Sequence, residues 1–162
     1  MAALRIRDFA TLCTLTLPSW ATLAEAQAVM HRFHVHHVPV LRDGDIVGLV
    51  TAFTLRNALS ASDARPERTT LAAIMEPAVL VRPDMPVALV AHRMAEEQRS
   101  AVMFADGPEI GLFTTVDAFR ALERLTQLAA SAVAQLEAGA ARLSEGSLRA
   151  RARCFTSAPP SH

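Results

Sequence analysis

An excess of either charge is missing from this chain: sixteen basic residues balance sixteen acidic ones. A neutral chain has no general pull toward nucleic acid or an anionic membrane, so neither is expected as its main partner. Cysteine is scarce. Cys13 and Cys154 lie far apart and form no CxxC pair. That points to a reducing, cytoplasmic setting and leaves a disulfide between the two open. No apolar run approaches the roughly 20 residues of a membrane-spanning helix. The uncharged stretch from Phe9 to Ala24 follows two arginines and faintly resembles a secretory signal. Thr11, Thr14, Thr16, Pro18, Ser19 and Thr22 break its apolar core, which argues against export. Also missing are a GxxxxGK[ST] phosphate loop and any recognisable Ser/His/Asp or Cys/His spacing. No enzyme is expected, and Glu25, Glu96 and Glu97 read as solvated helix faces.

What the chain has is a repeat. Apolar residues fill 51% of the 162 positions, enough for one domain or two small subdomains sharing a core. The stretch "PVLRDGDIVGLVTAFTLRNAL" returns as "VMFADGPEIGLFTTVDAFRAL". A 63-residue offset links Asp43-Gly44 to Asp106-Gly107, Gly48 to Gly111, and Thr51 to Thr114. Upstream the offset is 64, matching Leu17 to Val81 and Met30 to Met94. A fixed period with a one-residue slip marks a duplicated unit, and the slip is placed between the helix and its following strand. That alignment sets His36 against Arg99 and His37 against Ser100.

Each copy predicts an extended segment (14–17; 79–81) and then an amphipathic helix. Leu23, Ala26, Val29 and Met30 line the helix of one copy; Val87, Val90, Ala91 and Met94 line that of the other. Two strands joined at Asp-Gly follow, since both turn residues tolerate positive φ. A Thr-capped helix closes the unit. The order is βαββα, twice. The predicted organisation is a first unit at 4–60, a linker at 61–70 and a second unit at 71–125. A C-terminal helix follows at 126–147, and the residues 148–162 read as a disordered tail. Along the end of the second unit and into that helix, Leu122, Leu125, Ala129, Ala132, Leu136, Gly139 and Leu143 form a thin seam, suited to a coiled coil, a partner, or the chain's own domain.

On these residues the chain resembles a tandem pair of CBS domains, the Bateman module, over roughly positions 4 to 125. The resemblance rests on "TLAEAQAVM" with "HVHHVPVLRDGDIVGLVTAFTL", on "LAAIMEPAVLVRPDMPV", and on "GLFTTVDAF", which completes the Gly-hydrophobic-hydrophobic-Thr-x-x-Asp pattern. It implies an α+β fold of two intertwined βαββα units with pseudo-twofold symmetry. It also implies a regulatory, signal-transducing role through an adenosyl ligand such as AMP, ADP or ATP, with no required cofactor. By the same likeness Asp117 would hold a ribose diol and Thr114 would lie near phosphate. Basic residues before the middle strand would approach the phosphates, here Arg99, His36 and His37. Val79, Val81 and Met103 would enclose the base.

The residues carry their own chemistry beside the resemblance. A carboxylate accepts two hydrogen bonds from a cis-diol, so Asp117 suits a ribose clamp; Asp is also a preferred helix cap. Thr54 stands where the second copy has Asp117. One neutral hydroxyl does not match a carboxylate, so one competent cleft is expected, beside Thr114 and Asp117. His31, His34, His36 and His37 crowd seven residues. A zinc site needs three or four converging ligands, and only His34 and His36 have a natural same-face spacing. No metal is therefore assigned. Two other functions stay in view: a structural dimerisation module with vestigial clefts, and a metal-responsive protein using His34, His36 and His37. A homodimer is expected, with an effector protein as a further partner.

Overall fold

The computed structural model describes residues 4–155, and side chains through residue 143. Two units divide the chain, the first ending at Ala118 and the second starting at Phe119. In the first unit, β1 (Thr11–Cys13) and β2 (Leu17–Pro18) precede α1 (Leu23–Phe33). Then come β3 (His37–Arg42), β4 (Asp45–Thr51), α2 (Ala52–Leu59) and β5 (Glu76–Pro77). The second copy continues with α3 (Val87–Glu96), β6 (Ala101–Asp106), β7 (Glu109–Thr114) and α4 (Thr115–Phe155).

The helices bury most of the stripes the sequence predicts, with Val29 and Ala91 only half-buried. Leu23, Ala26 and Met30 are buried on α1, and Val87, Val90 and Met94 on α3. Thr22 caps α1 by accepting from the Glu25 amide at 3.2 Å, while the Glu25 carboxylate accepts from the Thr22 amide at 2.7 Å. This reciprocal box satisfies two end donors that would otherwise lack partners. Met30, Val38, Val40, Val50, Leu55 and Leu71 close one core cluster. Leu49, Ala101, Met103 and Leu112 form another.

The copies are interlaced. One sheet runs β1-β7-β6, so the chain's first strand completes the second copy's sheet. The other runs β2-β3-β4-β5, so the strand after the linker completes the first copy's sheet. Thr11 stands opposite Leu112, and Glu76 opposite Leu49.

The predicted place of the one-residue slip is wrong. In β3–β4, His37 pairs with Thr51 and Val40 with Gly48, but then Leu41 pairs with Ile46. In β6–β7, Ala101 pairs with Thr114 and Ala105 with Ile110, with no break. The extra residue is therefore Val47, accommodated in a bulge inside β4. It follows that His36 is equivalent to Ser100, His37 to Ala101, and His34 to Gln98. The backbone agrees. The Ala52 amide donates to the His36 carbonyl at 2.8 Å, and the Thr115 amide to the Ser100 carbonyl at 3.0 Å. His34 and Gln98 both adopt left-handed φ, 53° and 52°. The hairpin turns shift in step: Asp43-Gly44 form the first loop at φ 53° and 88°, whereas the second loop is Gly107-Pro108.

The predicted extended segments are shifted: β1 lies before 14–17, of which only Leu17 enters a strand, β2, and 79–81 carries a single bridge from Leu80 to Met103. The last helix differs too. One unbroken helix runs from Thr115 to Phe155, so residues 148–155, predicted as tail, are helical. The rest of that predicted tail, 156–162, lies outside the described residues. No helix among the described residues is long and apolar enough to cross a membrane.

Candidate functional site

A cleft of about 500 Å³ opens where the first copy's second helix begins. Thr51 at the end of β4 and Ala52, Phe53 and Arg56 of α2 reach it, His36 and His37 come from the start of β3, and β5 brings Glu76. Gln98 and Ser100, before β6, complete the wall. Four separate segments thus meet there because the interlaced strands hold both copies together.

The polar groups form a chain. The Thr51 hydroxyl accepts from the Thr54 amide at 3.0 Å and caps α2. The Thr51 and Thr54 hydroxyls lie 2.8 Å apart. Thr54 donates in turn to Glu76 Oε1 at 3.0 Å. Arg56 makes no ion pair or side-chain hydrogen bond among the described residues. Burial lowers the pKa of His37, and the neighbouring His36 lowers it further; the carboxylates of Glu76 and Asp117 pull the other way. A helix start, an uncommitted guanidinium and two imidazoles favour an anion. The carboxylate and hydroxyls beside them can accept from and donate to sugar-type hydroxyls.

A larger hollow of about 590 Å³ lies between α1 and α2, lined in part by Met30, His31, His34, Leu55 and Leu59. It shares His36 and Arg56 with the cleft but has no carboxylate on its wall. Among the described residues, no group of three or more His, Cys, Asp or Glu is arranged to hold a metal ion.

Comparison with known proteins places this geometry. Residues 15–61 match the CBS domain family. The CBS domain pair of protein MJ0100, solved with 5′-methylthioadenosine and S-adenosyl-L-methionine, superposes with a TM-score of 0.65 at 23% identity, covering 75% of this chain and 98% of that one. The chain folds as a tandem CBS-domain pair. CBSX2 in complex with AMP gives a TM-score of 0.62 at 19% identity, over 74% of this chain and 97% of that one. The CBS domain of a bacterial CNNM/CorC family Mg²⁺ transporter, in complex with ATP, gives 0.62 at 21%, over 71% and 84%. No curated protein matches by sequence.

The CBS pair distributes the residues singled out in the sequence unevenly. His36 and His37 both reach the cleft. Arg99 is not on its wall: its Nε donates to Glu97 Oε2 at 3.0 Å and its Nη1 to the Pro77 carbonyl at 3.4 Å. The argument that His36 and Arg99 share a position fails with the corrected register. Thr114 and Asp117 form a reciprocal cap. Asp117 Oδ2 accepts from the Thr114 amide at 2.9 Å and from its hydroxyl at 2.8 Å, while the Asp117 amide donates to Thr114 Oγ1 at 3.4 Å. Asp117 is 2% exposed. Val79, Val81 and Met103 are brought together, with the Val81 amide on the Met103 carbonyl and the Met103 amide on the Val79 carbonyl, both at 2.9 Å. Met103 itself is core, 1% exposed.

Glu76 and Arg56 are the functional candidates that sequence reasoning missed. Arg56 has Phe119 at the 63-residue offset, so the repeat gave no reason to select it. Glu76 lies on a strand that serves the other copy's sheet, where a motif search confined to one copy does not look.

Proposed function

We propose that this CBS pair is a non-catalytic regulatory module that senses an adenosine nucleotide or related adenosyl ligand. The observation that carries this is a cleft of mixed chemistry, whose wall brings the cationic and donor groups of His36, His37, Arg56 and the start of α2 together with the Thr51 hydroxyl and the Glu76 carboxylate. A ligand with both phosphate and sugar meets both kinds of group. Adenosyl ligands in three similar CBS structures support the choice of class. The expected preference for a cleft on Thr114 and Asp117 is revised here. That copy has Phe119 at the position of Arg56, so we assign it the weaker second place, with Val79, Val81 and Met103 beside it.

Thermal-shift screening with AMP, ADP, ATP, S-adenosylmethionine and adenosine tests the class, and calorimetry the position. Arg56→Ala should weaken AMP roughly tenfold or more, since hydrogen bonds to charged groups contribute about 1.5–3 kcal/mol, and leave adenosine nearly unchanged. No response to any adenosyl compound would overturn the proposal.

One observation favours a second function, that of an interaction module. On α4, Leu122, Val133, Leu136 and Leu143 are 56%, 54%, 74% and 78% exposed. Such a seam suits a second copy or an effector protein, and the two functions are compatible.

A further inference from the structure

The two copies differ at the position where Thr54 replaces Asp117, and the loss of a carboxylate there would leave the first cleft unable to grip a diol. Glu76 changes that conclusion. It stands opposite Leu49 on β4, whereas Thr11 stands opposite Leu112 on β7. Leu49 and Leu112 are equivalent in the repeat, so Glu76 and Thr11 are equivalent too. The first copy therefore has Thr54 bonded to Glu76, and the second has Asp117 and Thr11 at the two equivalent positions. Each half holds one hydroxyl and one carboxylate at the same two positions, in exchanged order.

We propose that Glu76 is the diol-binding carboxylate of the first cleft, so that the ligand there must carry a vicinal cis-diol: a ribonucleotide, not a deoxyribonucleotide. This rests on the nucleotide-sensing function proposed above and adds the group that reads the sugar. The geometry is specific. Thr54 donates to Oε1, and Oε2 has no donor among the described residues. Glu76 also lines the cleft, together with Gln98 and Ser100. A diol donating to Oε2 and sharing Oε1 would complete the carboxylate's acceptor capacity. The Thr51–Thr54 hydroxyl chain holds Oε1 in place, and so orients the carboxylate before a ligand arrives. A one-hydroxyl sugar would leave an acceptor oxygen desolvated and unpaired, which is the kind of mismatch that polar sites reject strongly.

Calorimetry on the full chain with AMP and 2′-deoxy-AMP tests this. The wild type should prefer AMP. Glu76→Gln keeps the shape but should weaken AMP by roughly tenfold to a hundredfold and erase the preference over 2′-deoxy-AMP. The exchange Thr54→Asp with Glu76→Thr copies the second half's arrangement and should restore both. It also serves should Glu76→Gln prove unstable, since melting curves are recorded for each variant. Asp117→Asn is run alongside, so that losses in the two clefts are told apart. If the wild type prefers AMP and Glu76→Gln keeps that affinity and preference, Glu76 is not the acceptor and nucleotide sensing survives. If the wild type binds no adenosine nucleotide, sensing falls and the Glu76 assignment falls with it.

Discussion

His37 shows how a single residue connects the site to stability. Its imidazole is half-buried, and burial and His36 together hold it below the ordinary histidine value of about 6.5. The unfolded chain therefore takes up this proton more readily than the folded one. By linkage, the contribution of His37 is full above about pH 6.5 and declines as pH falls below it, until the folded form protonates as well. Glu76 and Asp117 limit the loss because both favour the imidazolium. Urea melts of wild type and His37→Gln at pH 7.5 and 5.5 check the sign. The wild type should lose more stability on acidification than the variant; the reverse order would contradict the assigned shift. At the same scale, Arg99 illustrates what residue type alone conceals. It was selected as a basic residue before a strand, yet Glu97 already neutralises it.

Among the elements, the hairpins were the most legible and their register the least. Glycine inside a strand points to a close approach by a neighbour, and Gly48 and Gly111 both have one. A Cβ at Gly111 would overlap the Phe104 ring, while at Gly48 it would come within 2.5 Å of Met75 Sδ. Phe104 is a buried aromatic, 2% exposed; Met75 is a flexible tail, and the Glu76 carbonyl oxygen 3.0 Å from the same Cβ is tight without overlapping. Gly111→Ala should therefore cost about 1–3 kcal/mol as overpacking, and Gly48→Ala less. Denaturant midpoints for the two variants decide the order; equal losses would show that the Phe104 ring gives way. The helix faces, the duplication and the α+β class were readable because hydrophobic periodicity and turn chemistry are local. The bulge at Val47 was not. A one-residue insertion leaves the composition of the strand unchanged, and only pairing with β3 shows where it sits. The cleft was half legible for the same reason. His36 and His37 lie inside a motif, but Glu76 arrives through a strand pairing that no linear pattern records.

The whole molecule couples two questions, association and integrity. The apolar positions on α4 predict self-association. Leu136→Glu with Leu143→Glu should shift sedimentation toward the monomer mass while AMP binding persists, since both lie outside the cleft. A wild-type chain that sediments as a monomer at micromolar concentration would remove the premise. Interlaced strands predict that neither copy is stable alone. A fragment covering 4–61 lacks the β5 partner of its own sheet and leaves β1 without β7. It should show no cooperative melt, whereas a sharp transition would mean that the exchanged strands are dispensable.

The same exchange has a consequence in time. β1 is synthesised well before its partner, since Leu112 comes about 100 residues later. At the usual 5–20 residues per second, Thr11–Cys13 must wait about 5–20 s on the ribosome before the strand it belongs beside exists. Pairings so distant along the chain are also slow to close once both ends are made, because a large loop must be ordered first. The nascent first copy can gather α1, β3, β4 and α2 in the meantime, but its cleft is not complete until Glu76, Gln98 and Ser100 have followed. Assembly of the cleft is thus deferred until nearly the whole pair has been made.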